Sequence, residues 1–297
     1  MQISAGALGY EIEAASGERL ASCDPARVVD MLRRHGWIYF SGFDVTLEEF
    51  EAFTKRFGRC TTPRQVHYPP GGVALGFHGE DCYNPFRPDA LWFLNLAEGS
   101  HGGTPTGVVD GVRLLEGMDE EWRTFSLENG LRFDREWSAE HWQGIVGGDK
   151  QAELTPFLDR LPGVTYEFLP DGALRTRYDT TMVCRTQSGE LSFSNTILHA
   201  VKDPEFYGMH LEDGSEVPQE FVSHVEELCL DMEEGVGWEA GNVALLDNYR
   251  LMHRRGEYPG KGRDLRALHG EELFGSTLPS ATTEPERKLK WLFQGED

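Results

Sequence analysis

The chain has 297 residues, of which 39% are hydrophobic and 11% aromatic, and its formal net charge at pH 7 is −22. This apolar content can offset the entropy of ordering the chain, so global disorder is excluded. The acidic charge disfavours nucleic acids and anionic membranes, which would be repelled. No apolar run approaches the ~18 residues of a membrane span. The composition predicts a globular protein with neither kind of partner.

The N-terminal residues and the cysteine pattern both argue against a secreted protein. The N-terminus, Met1-Gln2-Ile3, lacks the basic start and the apolar stretch of a secretory signal. The cysteines are odd in number, scattered and never spaced C-x-x-C, which argues against a disulfide framework and a zinc ribbon. They are Cys23, Cys60, Cys82, Cys184 and Cys229. We therefore expect reduced thiols and a cytoplasmic protein.

The first sixty residues predict a mixed α/β segment. Asp24 and Pro25 precede an amphipathic run that ends at Arg34, as at the start of a capped helix. A short apolar strand is predicted over 37–40. Thr46-Leu47-Glu48-Glu49 then resembles a capping box. The helix after it carries three aromatic residues at helical spacing: Phe50, Phe53 and Phe57.

From about residue 61, short apolar strands alternate with Gly/Pro turns, a spacing typical of an all-β sandwich or barrel. The predicted strands are 73–77, 91–96, 104–109, 182–185, 191–194, 243–247 and 265–269. Helices are predicted over 110–115, 119–122 and 218–232. Residues 135–160 are polar and weakly periodic, and we interpret them as an insertion or lid. A single domain over 1–297 is expected, with its β core over about 61–275.

A pair of metal ligands can be sought by spacing. A mononuclear iron(II) site that activates O₂ needs two imidazoles and one carboxylate, with the opposite face open. One strand can supply His-x-Asp or His-x-Glu, because residues i and i+2 point to the same side. The chain contains four such pairs where chance gives about 1.7. They are His78/Glu80, His210/Glu212, His224/Glu226 and His269/Glu271.

Context separates these four pairs. The pair at His224 lies in a predicted helix, where i and i+2 do not face each other. The pair at His210 falls in a polar loop, whereas the pair at His269 ends a strand and remains open. The pair at His78 follows an apolar strand, and Gly79 leaves room for close approach. His253, shortly after the buried strand 243–247, is the candidate for the second imidazole.

Four blocks, in a specific order and spacing, lie along most of the chain: GWIYFSGF at 36–43, FHGEDCY to RPDALWF at 77–93, GGTP to DG at 102–111, and LLDN to GRDLR at 245–266. Together they resemble the taurine dioxygenase (TauD/TfdA) family of iron(II)/2-oxoglutarate-dependent oxygenases. The resemblance implies one catalytic domain that is mainly β with flanking helices, around a double-stranded β-helix (jelly-roll) core.

The resemblance also implies the site. Iron(II) would be bound by His78, Glu80 and His253. 2-Oxoglutarate and O₂ would be cosubstrates, with Thr104 contacting 2-oxoglutarate and an arginine holding its distal carboxylate, for which a planar guanidinium is suited. Arg263 fits the family position for that arginine. Arg266 competes with it but points to the opposite face of a regular strand.

The implied reaction is hydroxylation of an unactivated C–H, while desaturation or cyclisation would use the same residues. Glu80 stands where most members have Asp, as in a subgroup that resembles asparagine and arginine hydroxylases and enzymes of amino-acid-derived natural products. A carboxylate there argues against halogenation.

Ala267 stands where relatives acting on sulfonates or aryloxyacetates have a second arginine. We expect an amino acid or amino-acid-derived small molecule, free or carrier-tethered; homo-oligomerisation stays open.

Two other classes compete with this interpretation. One is a non-catalytic jelly roll that binds a metal such as zinc, and the other is a metal-dependent hydrolase that uses a bound water. Binding of 2-oxoglutarate only in the presence of metal would argue against the first class, and activity that requires O₂ would argue against the second.

Overall fold

The computed structural model describes residues 1–6, 8–66, 74–97, 106–256, 264–275 and 281–294. The α-helices within these ranges are α1 (Pro25–His35), α2 (Leu47–Thr54), α3 (Gly111–Gly117), α4 (Glu120–Glu128), α5 (Ala139–Val146), α6 (Gln151–Leu158), α7 (Ile197–Ala200), α8 (Pro204–Tyr207), α9 (Gln219–Met232) and α10 (Glu284–Gln294). The strands are β1 (Gln2–Ala5), β2 (Tyr10–Glu13), β3 (Trp37–Ser41), β4 (Arg64–Gln65), β5 (Leu75–His78), β6 (Ala90–Asn95), β7 (Thr106–Asp110), β8 (Gly130–Trp137), β9 (Val164–Phe168), β10 (Leu174–Thr181), β11 (Cys184–Arg185), β12 (Leu191–Ser192), β13 (Met209–Leu211), β14 (Glu234–Val236), β15 (Val243–Asp247), β16 (Leu251–Arg255) and β17 (Leu265–Gly270).

In the described ranges, the larger sheet has seven strands in the order β1-β2-β3-β15-β6-β17-β4. All its pairs are antiparallel except β2 with β3. Its central strands are buried on both faces, and their side chains alternate. Trp92 and Leu94 of β6 pack outward with Phe40, Phe50 and the rest of the cluster that α1 and α2 cover. This outer layer holds the two predicted N-terminal helices on the sheet.

A smaller sheet faces the larger one. Its order in the described residues is β14-β7-β16-β5, so β16 lies between β7 and β5. The inner faces of the two sheets share an apolar cluster, because alternate side chains of each strand point into the space between them. The buried members are Trp37, Leu91, Phe93, Val108, Val236, Ala244, Leu246, Leu251 and Leu265. The mainly β architecture with flanking helices predicted from the sequence is confirmed.

A third sheet, in the order β13-β8-β10-β9, is an element that the sequence patterns did not reveal. Leu131 and Phe133 of β8 pack against the outer side of the smaller sheet.

The predicted insertion at 135–160 contains the end of β8 and the helices α5 and α6. These helices and α10 enclose a separate apolar cluster around Trp142 and Phe157. A lid function for this segment stays a prediction.

The predicted helix signals act as expected. The Asp24 carboxylate accepts the Ala26 N–H at 3.1 Å, and α1 ends at Gly36, whose φ of 74° suits a residue without Cβ. The capping box is present: Thr46 Oγ1 accepts the Glu49 N–H, and the Glu49 carboxylate accepts the Thr46 N–H. The prediction of a polar loop around His210 is wrong, because His210 lies in β13, which pairs with β8.

The structure also bears on membrane-spanning helices and on the state of the cysteines. Of the helices that the structure describes, none combines the length and the apolar character of a membrane span. All five cysteines are free thiols in the described structure.

Asp247, at the end of β15, gives a pH-dependent prediction. Its side chain is fully buried, Oδ1 accepts the Tyr249 N–H, and Oδ2 has no hydrogen-bond partner among the described residues. Burial raises the pKa of this carboxyl to about 7 from 3.8. Because the folded pKa lies above the unfolded one, the stabilisation from protonated Asp247 is complete below pH 3.8 and is lost as the pH rises through 7.

Asp247→Asn is therefore expected to be more stable than wild type at pH 8, by on the order of 2–4 kcal/mol, with little difference at pH 4. Urea unfolding at the two pH values measures this, with the exposed Asp149→Asn as the matched control. An equal effect of Asp247→Asn at both pH values would contradict the assignment.

Candidate metal centre

Two histidines from neighbouring strands meet between the sheets. His78 ends β5, His253 lies in β16, and the two residues are direct partners in the antiparallel register. Their ring centroids are 4.4 Å apart. Both side chains point to the inner face, since the flanking Phe77 and Met252 pack on the outer side. The ring of Phe93, on the opposite sheet, lies 5.6 Å from that of His253.

The carboxylate of Glu80 completes the group. Glu80 Oε2 lies 3.7 Å from His78 Nε2 and 3.7 Å from His253 Nε2. One ligand atom from each of the three residues lies within 4.8 Å of the other two. The Glu80 side chain is 30% exposed, against 9% for His78 and 10% for His253. Two imidazoles and one carboxylate with an accessible side form the donor set that non-haem iron(II) oxygenases use.

The electrostatics keep these donors ready for a cation. His78 Nδ1 lies 2.8 Å from the Gly76 carbonyl, a contact that places the proton on Nδ1 and leaves the Nε2 lone pair free. Burial, and then the neighbouring His78 imidazole, beside which a second positive charge is disfavoured, lower the pKa of His253 to about 3, so that His253 is neutral at neutral pH. Burial alone would raise the pKa of Glu80, but the imidazoles around its carboxylate, those of His78, His269 and His253, hold that pKa well below its usual range.

Asn248, in the turn after β15, clamps the backbone of Glu80. Its Oδ1 accepts the Glu80 N–H at 2.8 Å, and its Nδ2 donates to the carbonyls of Glu80 and Pro88 at 2.9 and 3.0 Å. The buried guanidinium of Arg87 donates to Ser194 Oγ at 3.0 Å and to the Asn248 carbonyl. The loop that carries the carboxylate is thereby tied to the turn before His253.

Gly79 and Cys82 have structural explanations. A Cβ at Gly79 would lie 2.7 Å from Cys82 Sγ and 3.0 Å from Ser194 Oγ, so this position has no room for a side chain. Burial raises the pKa of Cys82 to about 12, which keeps it a thiol and makes it a poor nucleophile.

Two further histidines lie beside the cluster. The His199 ring, in α7, is 5.2 Å from that of His78, and burial lowers the pKa of His199 to about 4. His269 Nε2 lies 3.7 Å from Glu80 Oε1. The sequence carries no signal for His199. In the sequence, His269 stands out only as the first member of a His-x-Glu pair, and Glu271 of that pair instead contacts Arg59 and Lys290.

The remaining His-x-Glu pairs lie elsewhere. His224 is in α9, as predicted, 3.9 Å from Asp119. His210 contacts Asp134 at 3.1 Å. Neither histidine belongs to the metal-binding group found in the described residues.

Of the three residues predicted to contact 2-oxoglutarate, the structure describes only Arg266. Thr104 and Arg263 lie outside the described residues, so their roles stay predictions. Arg266 lies in β17 between Leu265 and Ala267, whose side chains join the inner cluster. Its own side chain points to the other face and pairs with Asp264 at 2.7 Å. Arg266 is thus directed away from the metal-binding group, as a regular strand predicts.

Comparisons with known proteins place this geometry in a family. The family model described as "Taurine catabolism dioxygenase TauD, TfdA family" matches residues 5–269. The dapdiamide synthesis protein DdaC of Enterobacter agglomerans is 23% identical over 241 residues, which cover 73% of this chain and 70% of DdaC.

Solved structures share the fold. AAD-2, in complex with Mn(II) and N-oxalylglycine, aligns with a TM-score of 0.62 at 15% identity, over 94% of this chain and 100% of that one. PvcB of Pseudomonas aeruginosa aligns with a TM-score of 0.61 at 14% identity, over 88% and 85%. The predicted jelly-roll core is confirmed by these neighbours. With a family match over most of its length and a His-Glu-His group between its sheets, the chain belongs to the TauD/TfdA family and is an iron(II)/2-oxoglutarate-dependent oxygenase.

Proposed function

We propose that this oxygenase hydroxylates an unactivated C–H of an amino acid or amino-acid-derived small molecule in the biosynthesis of a natural product. The observation that carries the proposal is the convergence of His78, Glu80 and His253, with glutamate as the carboxylate. When bound there, iron(II) with 2-oxoglutarate and O₂ supplies the oxidising power: one oxygen atom enters succinate, CO₂ leaves, and the other oxygen enters the substrate.

The chain's own residues contribute position and environment. The contact of His78 Nδ1 with the Gly76 carbonyl and the neutrality of His253 present two nitrogen lone pairs to the metal. The clamp by Asn248 fixes the backbone from which the Glu80 side chain extends. Phe93 and its apolar neighbours between the sheets form an apolar wall beside His253, and a surrounding of low polarity strengthens electrostatic contacts at the metal-binding group.

Two observations support the substrate class. DdaC is named as a dapdiamide synthesis protein, and one PvcB structure is described as an oxygenase from an isonitrile synthetic pathway. Ala267 stands on the inner face of β17, opposite Phe93, where relatives that act on sulfonates or aryloxyacetates have an arginine. A methyl group there offers no cation for a strongly anionic substrate. We therefore favour a substrate recognised mainly by hydrogen bonds and apolar contacts, either free or tethered to a carrier protein.

A substrate panel tests the proposal. The purified protein with iron(II), ascorbate and 2-oxoglutarate is incubated in air with the proteinogenic amino acids, their amides and N-acetylcysteamine thioesters, and with taurine and phenoxyacetate. We expect a compound of the amino-acid set to stimulate succinate release and to gain one oxygen by mass spectrometry. Stimulation by taurine or phenoxyacetate alone would overturn the proposed substrate class while leaving the oxygenase activity intact.

A further inference from the structure

The far side of the Glu80 carboxylate has a partner of its own. Glu80 Oε2 points to His78 and His253, whereas Oε1 lies 3.7 Å from His269 Nε2. His269 belongs to β17 of the larger sheet, so it approaches from the opposite wall of the site. The carboxylate thus lies between the two imidazoles of the metal-binding group and a third imidazole outside that group.

His269 is itself held in place. Its backbone N–H donates to Thr61 Oγ1 at 2.9 Å, and its carbonyl accepts the Thr61 N–H at 2.9 Å. Its Nδ1 lies 3.7 Å from Asp81 Oδ2, so the ring spans the carboxylates of two successive residues, Glu80 and Asp81. Only 13% of the His269 side chain is exposed.

Asp81 is fixed from two further directions. Its side chain is 4% exposed, and its φ of 56° is uncommon for a residue other than glycine. Asn84 Nδ2 donates to Oδ1 at 3.2 Å, and Gln294 Nε2, at the end of α10, donates to Oδ2 at 2.6 Å. A continuous set of contacts therefore runs from the C-terminal helix through Asp81 and His269 to the outer oxygen of Glu80.

From this geometry we infer that His269 is a positioning residue, which holds Glu80 Oε1 so that Oε2 faces the metal, and that Asp81 and Gln294 orient the His269 ring. The inference rests on the proposed function, because it concerns the same site. A glutamate has one more side-chain torsion than an aspartate, so it needs an additional contact to present one oxygen in a single direction. Partners of this kind, behind a metal ligand, typically change metal affinity by about 10–100-fold when removed.

Three substitutions at His269 separate positioning from packing. Glutamine places its amide N–H near the position of the imidazole Nε2, asparagine places it near Nδ1, and leucine fills the space without a polar atom. Cobalt(II) alone is titrated into each variant, and its visible absorption reports affinity and coordination without turnover. Thermal unfolding of each apo variant is recorded, and His210→Leu is the control for loss of an imidazole away from the site.

We expect His269→Leu to weaken cobalt(II) binding by about 10–100-fold and to alter the visible spectrum. His269→Gln should restore affinity to within about threefold of wild type, and His269→Asn should restore little, because only Nε2 faces Glu80. Gln294→Leu leaves His269 in place and should shift the spectrum in the same direction by a smaller amount; it also covers the case in which His269→Leu does not fold.

Wild-type affinity and spectrum in His269→Leu would overturn the inference, as would equal losses in the leucine and glutamine variants or an unchanged spectrum in Gln294→Leu. Failure of the proposed function gives a different result, because no compound of the amino-acid set would then stimulate succinate release, whereas the cobalt(II) titrations would still separate wild type from the His269 variants.

Discussion

Replacing His253 with alanine is expected to lower O₂-dependent succinate release from 2-oxoglutarate by more than about 10³-fold. Removing a residue that only supports a metal ligand typically lowers metal affinity or activity by about 10–100-fold. His253 supplies a donor atom itself, so its removal should cost more. Its neutral imidazole, directly opposite His78 in the sheet, is one of two nitrogen donors in the group, and the remaining pair leaves iron(II) weakly held.

The fold should survive this change. His253 Nδ1 is buried without a hydrogen-bond partner among the described residues, so its loss breaks no such bond there. His210→Ala, on β13, is the matched control and should retain most of the activity. Comparable losses in the two variants, or near wild-type turnover in His253→Ala with its far-ultraviolet circular dichroism unchanged, would contradict the assignment of His253.

Replacing Trp92 with alanine should cost about 3–5 kcal/mol of unfolding free energy, because it deletes a large, fully buried side chain whose neighbours can only partly collapse. The indole packs on three aromatic rings between the larger sheet and α2, at centroid distances of 6.2 Å to Phe40, 5.8 Å to Phe53 and 4.9 Å to Phe57. Such a loss is a large share of the stability of a typical domain.

Urea unfolding measures this cost, and two variants serve as controls. Trp92→Phe keeps an aromatic ring and removes an indole N–H that has no partner in the described structure, so it should cost much less than alanine. Trp291, whose side chain is half exposed on α10, should tolerate alanine with a change within about 0.5 kcal/mol. Equal costs for Trp92→Ala and Trp92→Phe would mean that the aromatic cluster does not stabilise the sheet.

Much of this architecture can be predicted from the sequence because its signals are local. The capping box at Thr46 and the stop at Gly36 each require only a few neighbouring residues. The two-residue period of a strand identified the pair His78 and Glu80, although β5 ends at His78 and Glu80 lies in the turn that follows, where Asn248 holds its backbone. For His253, the position after a buried strand gave only a candidate, which the family resemblance then supported, since its pairing with His78 joins strands far apart in the chain.

The third sheet escaped prediction for a physical reason. In β8, Leu131, Phe133 and Trp137 do lie on one face, but Arg135 interrupts this apolar series, and the positions that alternate with it after Gly130 are charged. Those charges are satisfied across the sheet. Arg132 pairs with Asp179 at 2.7 Å, and Arg177 pairs with Asp134 at 2.9 Å. The sequence displays a polar segment, whereas the partners that make it a strand lie about forty residues away.

The support around the carboxylate was hidden for a similar reason. Gln294 reaches Asp81 from the last described helix, and Asn248 reaches Glu80 from the turn after β15. Amide side chains of this kind carry no pattern of their own along the chain, so only the folded structure reveals which backbone or carboxylate they contact.

The central claim is that His78, Glu80 and His253 hold iron(II) to which 2-oxoglutarate binds. Anaerobic titration of the wild-type protein with iron(II) and then 2-oxoglutarate, followed by visible absorption, tests it most directly. We predict a weak charge-transfer band in the green region that requires both additions and is absent from His253→Ala. Absence of the band from the wild-type protein, together with no metal-dependent binding of 2-oxoglutarate by calorimetry, would contradict the claim and favour a metal-binding or hydrolytic jelly roll.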